Sequence, residues 1–525
     1  MDITGDLLIG YNAVTRSERP LHGINPATGE TLEPGYVVAD AADVDRAADL
    51  AWAAYPVYRG LSLDRRADFL AAIAQNILDL GPQLVERAVV ETGLTATRIE
   101  TERTRTVFQL RLYADVVRQG EFLDRRIDPP LPHRQPIPKP DLRLRQIPLG
   151  PVAVFGSSNF PLAFSAAGGD TVSALAAGCP VVVKGHPAHP GTGELVARAV
   201  LKAAQDCGMP EGVYSLLTGG IDTGTALVAH PHIKAVGFTG SRGGGLALAA
   251  VAARRPEPIP VYAEMSSVNP VLLLPSALAN RSEELAQGYV ASVTLGSGQF
   301  CTNPGIILAV DGPDLARFLA TVGEVMAQVP AAPMLTANIH AVFKKGVDAL
   351  SAHPDVTRVA IGAVSDGPTR SPAAIFVTTA EAFRADPHLA DEVFGASSLV
   401  IRCTDLAEVQ SLLEGLEGQL TATLHLDDAD LSIAEGVLPV LEDKVGRIIV
   451  NGWPTNVEVS PAMVHGGPYP ATSDSRTTSV GAGAIDRFLR PVCYQSVPDD
   501  LLHEALQERN PLDLWRLRDG QLARD

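Results

Sequence analysis

Several polar or reactive side chains stand where apolar runs break off, and each has a chemical and a structural reading. Cys301 lies in Gly298-Gln299-Phe300-Cys301-Thr302-Asn303. A free cysteine packs well in a core. Gly296, Gly298 and Gly305 around it nevertheless allow a tight backbone approach that a simple core strand does not need, which favours a nucleophile. Glu264 follows Ile259-Pro260-Val261-Tyr262-Ala263 and is either a solvated strand end or a working carboxylate. Lys184 follows Val181-Val182-Val183, where its charge is costly unless partnered. Ser157-Ser158-Asn159 follows Val152-Ala153-Val154-Phe155, and Asn159 is a functional amide or a cap for the next helix. Gly240-Ser241-Arg242-Gly243-Gly244-Gly245 follows another apolar run and suits a phosphate or ribose at a helix start. It is not the G-x-G-x-x-G fingerprint of ordinary dinucleotide folds.

The elements that carry these residues alternate in type. Residues 40–118 read as helical, with Leu, Ala and Ile at three- and four-residue spacing from Leu63 to Leu80. Pro129 to Pro140 is Pro-rich and reads as an extended excursion. From Pro151 the spacing predicts strands at 152–155, 180–183, 213–217, 235–238 and 259–263. Helices are predicted at 164–177, 192–206 and 241–253. Such alternation implies parallel βαβ units in a doubly wound sheet, with ligands at the carboxyl ends of the strands. The polar residues above fall at those ends. A second α/β pattern runs from about Asn269 to 455, and a charged tail follows Pro491.

Composition excludes other classes. The 525 residues are 46% hydrophobic and 19% charged, which rules out a mainly disordered chain. With 42 Lys plus Arg against 60 Asp plus Glu the net charge is −18, so neither a nucleic-acid partner nor an anionic membrane surface is expected. Five dispersed cysteines without CxxC or Cys/His clusters give no disulfide framework and no metal site, and fit a reducing, cytoplasmic setting. The start lacks the positive n-region of a signal peptide. The weakly charged stretch Leu149–Val183 is punctuated by Gly156, Pro161, Asp170 and Pro180, unlike a membrane span.

Seven segments in order resemble the aldehyde dehydrogenase superfamily over nearly the whole chain. They are Asn25-Pro26-Ala27-Thr28-Gly29-Glu30, Asn159-Phe160-Pro161, Lys184, Phe238-Thr239-Gly240-Ser241, Glu264, Gly298-Gln299-Phe300-Cys301 and Glu392-Val393-Phe394-Gly395. The resemblance implies a cysteine thiohemiacetal and then a thioester, with Cys301 as nucleophile. Asn159 and the Cys301 backbone N–H would hold the oxyanion, and Glu264 would be the base for the hydrolytic water. It implies Lys184 on the adenosine ribose and Glu392 on the nicotinamide ribose. Ser158, Gly240 and Ser241 would lie along the dinucleotide. Phe160 would face the substrate. His465 stands where most relatives have an aromatic wall; it is a second base or part of that wall, and the wall is the expectation.

Glu264-Met265-Ser266-Ser267-Val268-Asn269-Pro270, Gln299–Gly305 and Ala462–Thr472 look like the branch that oxidises α-ketoglutaric semialdehyde (2,5-dioxopentanoate) to α-ketoglutarate. The neighbouring alternative is a medium- or long-chain fatty aldehyde dehydrogenase, and the alternative of another class is a non-redox thiol esterase. Pro187 stands where NAD-specific members often have a carboxylate, so NADP is expected with NAD possible. Arg111 is the expected contact for a substrate carboxylate. The domain expectation is 1–125 with 148–265 for NAD(P) and 266–475 for catalysis. Residues 126–147 with 476–495 would form a bridging β element, and 496–525 a tail. An extended arm of this kind invites a homodimer or homotetramer.

Overall fold

The computed structural model describes residues 2–524 as three large sheets, two of them flanked by helices, and a two-stranded sheet of Leu21–Ile24 and Thr31–Tyr36. The first sheet has seven strands in the order Val261–Glu264, Ala235–Thr239, Val152–Phe155, Val181–Lys184, Tyr214–Leu217, Leu7–Ile9 and Asn12–Val14. The first five are parallel and the last two antiparallel. Alternate residues feed opposite cores. Val152, Val154, Val181 and Val183 pack with helices Leu63–Asp79, Asp170–Ala177 and Pro190–Asp206. Ala153, Phe155, Val182 and Val236 pack with helices Ala41–Tyr58 and Ile221–Ala229. Strands buried on both faces read as continuous apolar runs, which is why they were legible.

The chain leaves Val152–Phe155 toward Val181–Lys184 on one side and later returns to Ala235–Thr239 on the other. This reversal leaves a crevice at the carboxyl ends of the strands. The helix expected from 164 begins only at Asp170, because 161–169 run as turns.

A second seven-stranded sheet runs Thr357–Ile361, Ala374–Thr379, Ser397–Cys403, Ile306–Val310, Val271–Leu273, Gln419–His425 and Val445–Val450, parallel except for its first pair. The third sheet pairs Leu142–Pro148 with Leu489–Gln495 on one side and Arg126–Asp128 on the other. The segment expected as a separate tail adds Arg516–Arg518 and Gln521–Ala523 to this sheet. The Pro-rich excursion is the exposed connection between Arg126–Asp128 and Leu142–Pro148. No helix among the described residues is long and apolar enough to cross a membrane.

The two large sheets are tied together at an edge. Val261–Glu264 has one free side, and the chain near 472 lies along it. Met265 N–H donates to Ala471 O at 2.8 Å, and Ser473 N–H donates to Ala263 O at 3.0 Å. Glu264 thereby stands where the cofactor half meets a segment arriving from the catalytic half.

Candidate active site

Cys301 is placed by a strained approach. After helix Pro275–Thr294 the backbone runs left-handed through Gly296, Ser297 and Gly298, at φ 54°, 58° and 68°. A Cβ on Gly298 would lie 2.3 Å from Ala396 N, so this contact requires glycine. Asn269, itself at φ 46°, donates from Nδ2 to Cys301 O and Asn303 O, both at 2.9 Å. Gln299 locks the preceding turn: its Nε2 donates to Gly296 O, and its Oε1 accepts from Leu335 N–H. Asn159 caps no helix. Its Nδ2 donates to Gln299 O at 2.9 Å, which brings the amide beside the Cys301 turn.

Glu264 is 4% exposed and not a solvated strand end. Oε1 accepts from His465 Nε2 at 2.9 Å, and Oε2 accepts from the Ser479 hydroxyl at 2.7 Å. His465 Nε2 also lies 3.4 Å from Cys301 Sγ. Burial pushes the Glu264 carboxyl up, but the electrostatic attraction and hydrogen bond of His465, with the hydrogen bonds of Ser479 and Cys301, outweigh it and hold the group below its ordinary value. Burial, and after it the neighbouring Glu264 charge, push the Cys301 thiol well above its ordinary value. A protonated thiol therefore faces an ionised acceptor.

His465 does touch an aromatic wall. Phe160 sits edge-on to Phe164 and Phe300, with ring centroids 5.3 and 5.4 Å apart, and Phe164 lies 6.2 Å from His465. The expectation that His465 is only wall is too weak, because its Nε2 meets both reactive groups.

On helix Ala96–Gln119, Arg98 and Arg105 turn to this wall. Their guanidinium carbons stand 4.6 Å over Phe160 and 5.2 Å over Phe164. Arg111 does not share that face. It is exposed and makes no hydrogen bond or ion pair among the described residues, because six residues beyond Arg105 the helix has turned away from the wall. Arg98 pairs with Glu102 at 2.7 Å. Arg105 pairs with no carboxylate: its Nη2 donates to Val457 O at 3.4 Å, and its buried Nη1 has no partner.

A cavity of about 770 Å³ opens beside Cys301. Ser158, Asn159, Gly240, Ser241, Glu264, Cys301 and Glu392 all line it, so most of the residues singled out in sequence share one crevice. Lys184 does not line its wall directly. It ends a strand just before His186, Pro187 and Ala188, which do. The amine makes no hydrogen bond or ion pair among the described residues, and burial pushes its pKa down to about 8. Burial likewise pushes the Glu392 carboxyl up to about 8. Ser241 caps helix Arg242–Ala253, accepting from Gly244 N–H at 3.3 Å. A capped helix start lining the crevice, with a buried amine just behind its wall, suits a phosphate-bearing dinucleotide.

Sequence reading missed Ser479, Asn269, Gln299 and Arg105 as parts of this arrangement. Asn269 at the start of an apolar run was the one available signal, since asparagine tolerates the left-handed region.

The cysteine, carboxylate and amide meet beside one large crevice, an arrangement that suits an oxidoreductase. The chain belongs to the aldehyde dehydrogenase family, whose profile matches residues 13–469. It is an NAD(P)-dependent enzyme that oxidises aldehydes to acids. It is 56% identical over 523 residues to α-ketoglutaric semialdehyde dehydrogenase 2 of Azospirillum brasilense, covering 99% of this chain and 100% of that one. It is 47% identical to an α-ketoglutaric semialdehyde dehydrogenase of Acinetobacter baylyi, over 94% of each. Among solved structures, aldehyde dehydrogenase C of Pseudomonas syringae shares the fold at TM-score 0.79 and 21% identity, over 94% of this chain and 98% of that one.

Proposed function

We propose that this enzyme oxidises α-ketoglutaric semialdehyde to α-ketoglutarate, with NADP as preferred acceptor and NAD also used. The full-length identity to two proteins that carry that activity in their names carries the proposal. Arg105 supports it. A guanidinium without a counter-ion beside the aromatic wall suits a substrate carboxylate, and takes over the role expected of Arg111. A fatty aldehyde would leave that charge unpaired, and a thiol esterase would have no use for the dinucleotide crevice.

In this mechanism the Cys301 proton passes to Glu264 as sulfur adds to the aldehyde carbon. The carbonyl electron pair moves to oxygen, where the Asn159 amide and the Cys301 N–H receive it. The Cys301 N–H meets no protein acceptor among the described residues, so it is open to the oxyanion. A nicotinamide held in the crevice by Glu392 and its neighbours would supply the hydride acceptor that takes the adduct to the thioester level. Glu264, having passed the thiol proton on to solvent, takes a proton from the water that attacks the thioester carbon; the C–S bond breaks, the acid leaves, and Glu264 returns that proton to the Cys301 sulfur. Glu392 and Lys184 would bind the two riboses, with Ser158, Gly240 and Ser241 along the bridge between them. Pro187 at the third position after Lys184 offers no carboxylate to repel a 2′-phosphate.

The proposed division is 1–125 with 148–265, 266–475, and 126–147 with 476–495, the strands at 516–523 joining the last of these. Also proposed are a cytoplasmic setting and a homodimer or homotetramer built through the exposed edge strand Leu489–Gln495. Steady-state kinetics with α-ketoglutaric semialdehyde and hexanal, each with NADP and NAD, tests the reading. A preference for hexanal overturns the substrate, and a thousandfold preference for NAD in kcat/KM overturns the cofactor.

A further inference from the structure

His465 is the one ring in the wall that can donate a hydrogen bond, and it stands between the two groups that exchange a proton. A bare lone pair 2.9 Å from a carboxylate oxygen would repel it, so Nε2 carries the hydrogen. Nδ1 is buried with no partner, so the ring offers this one N–H and no second contact. Its backbone is fixed: His465 N–H donates to the Thr478 hydroxyl at 2.8 Å, and His465 O accepts from Ser479 N–H at 2.8 Å. The Ser479 hydroxyl completes the frame by holding the far oxygen of Glu264.

While Glu264 is ionised, the N–H points at Oε1. Once the thiol proton has moved to Glu264, the negative charge sits on sulfur, 3.4 Å from the same nitrogen and within reach of a sulfur acceptor. We propose that His465 is a positioning residue whose single N–H serves the Glu264 carboxylate and the Cys301 sulfur in turn, following the negative charge as the proton crosses between them. A phenyl ring would fill the same space and support neither anion. The mechanism in which Glu264 receives the thiol proton is the proposed one, and the inference rests on it.

The groups that face this centre are few. Cys301 and Glu264 meet Nε2. Thr478 and Ser479 hydroxyls lie on the neighbouring segment. Phe164 separates the ring from Arg105. The charges of Glu392 and Arg447 act on Cys301, Arg105 is coupled electrostatically to Cys301, and Glu264 acts on Asp170.

The test is the pH dependence of Cys301 alkylation by iodoacetamide, read by peptide mass so that exposed Cys493 does not interfere. His465→Phe keeps the aromatic volume, and His465→Gln keeps an N–H. With Phe the midpoint should rise by about one pH unit, slowing alkylation near pH 7.5 by roughly tenfold. Gln should restore part of the shift. Turnover of α-ketoglutaric semialdehyde should lose kcat while KM stays within about twofold, since the ring acts on the reacting groups and not on substrate binding. An unchanged midpoint in a folded His465→Phe that keeps a wild-type melting temperature overturns the proposal, as does equal behaviour of Phe and Gln. The alkylation readout needs neither aldehyde nor cofactor. A wild-type protein that fails to oxidise the semialdehyde yet shows the shift loses its functional reading and keeps this one.

Discussion

The two sides of the crevice are built by opposite means. The cofactor side rests on strand ends of one sheet and uses short, local segments: Ser157–Asn159, His186–Ala188 and Thr239–Ser241 all follow consecutive or neighbouring strands. It is roomy, and its working groups, Lys184 and Glu392, are held mainly by burial. The nucleophile side joins Cys301, His465, Glu264 and Ser479 through side-chain contacts of 2.7–3.4 Å and ties Asn159 to the Gln299 carbonyl two residues before Cys301 at 2.9 Å. Binding tolerates slack because several weak contacts share it. Proton and hydride transfer do not, because a misplacement of about 1 Å costs about 10²-fold. Substitutions should therefore hurt far more on the nucleophile side.

The largest effect should come from Cys301 itself. Cys301→Ser replaces the thiol with a hydroxyl that Glu264 cannot readily deprotonate, and kcat should fall roughly 10⁴-fold or more. Cofactor binding, followed by fluorescence titration, should stay within about twofold. Loss of both together would erase the contrast between the two sides. Next comes Asn159→Ala. It removes one donor to the oxyanion, and stopped-flow kcat should fall about 10²–10³-fold, equivalent to about 2.7–4 kcal/mol. A fall under fivefold would mean that the amide serves only the Gln299 carbonyl.

Between these and the cofactor side lies substrate recognition. Arg105→Met should lower kcat/KM for α-ketoglutaric semialdehyde about 10- to 100-fold, in line with a lost hydrogen bond to a charged group, and leave hexanal nearly unchanged. Arg111→Ala should change neither by more than about twofold. Equal losses on both aldehydes in Arg105→Met would make the arginine a packing element for Phe164, not a specificity contact.

What could be read in the sequence follows the same division. The parallel strands Val152–Phe155 and Val181–Lys184 are short valine-rich runs buried on both faces, and the polar residue that ends each one advertises itself. Leu7–Ile9 and Asn12–Val14 escaped notice because three-residue strands leave no periodicity to detect, and helix Ile221–Ala229 because turn residues crowd its start. The seven motifs located Cys301, Glu264 and Asn159, yet no local pattern shows that Ser479 reaches Glu264 across 215 positions. Nor does any pattern show that the guanidinium facing the wall belongs to Arg105. Helical phase decides that, and six positions along a helix turn a side chain through 600°, which leaves it about 120° off its starting face. His465 is the sharpest instance. Its type suggested chemistry, its motif suggested a wall, and only the 2.9 and 3.4 Å distances show it engaged with both reactive groups.

The smallest expected effect lies on the cofactor side, and its sign follows from burial. Burial depresses the Lys184 amine to about 8, so it is charged at pH 7 and loses that charge as pH rises through 8. Because its folded value lies below its unfolded value, the folded chain binds fewer protons than the unfolded one between about pH 8 and the ordinary lysine value. Folding stability from this group therefore rises with pH over that window. Cofactor affinity should move the other way. A charged amine attracts the phosphate-bearing adenosine ribose and a neutral one does not, so NADP binding should weaken severalfold between pH 7 and 9, by at most about tenfold. Glu392 confounds the measurement, because burial places its own ionisation near 8 as well. Lys184→Met separates them. In that variant NADP should bind more weakly at pH 7 and lose most of the slope, whereas Glu392→Gln should keep the slope that Lys184 supplies. A slope that survives Lys184→Met and vanishes in Glu392→Gln would assign the pH response to the carboxylate.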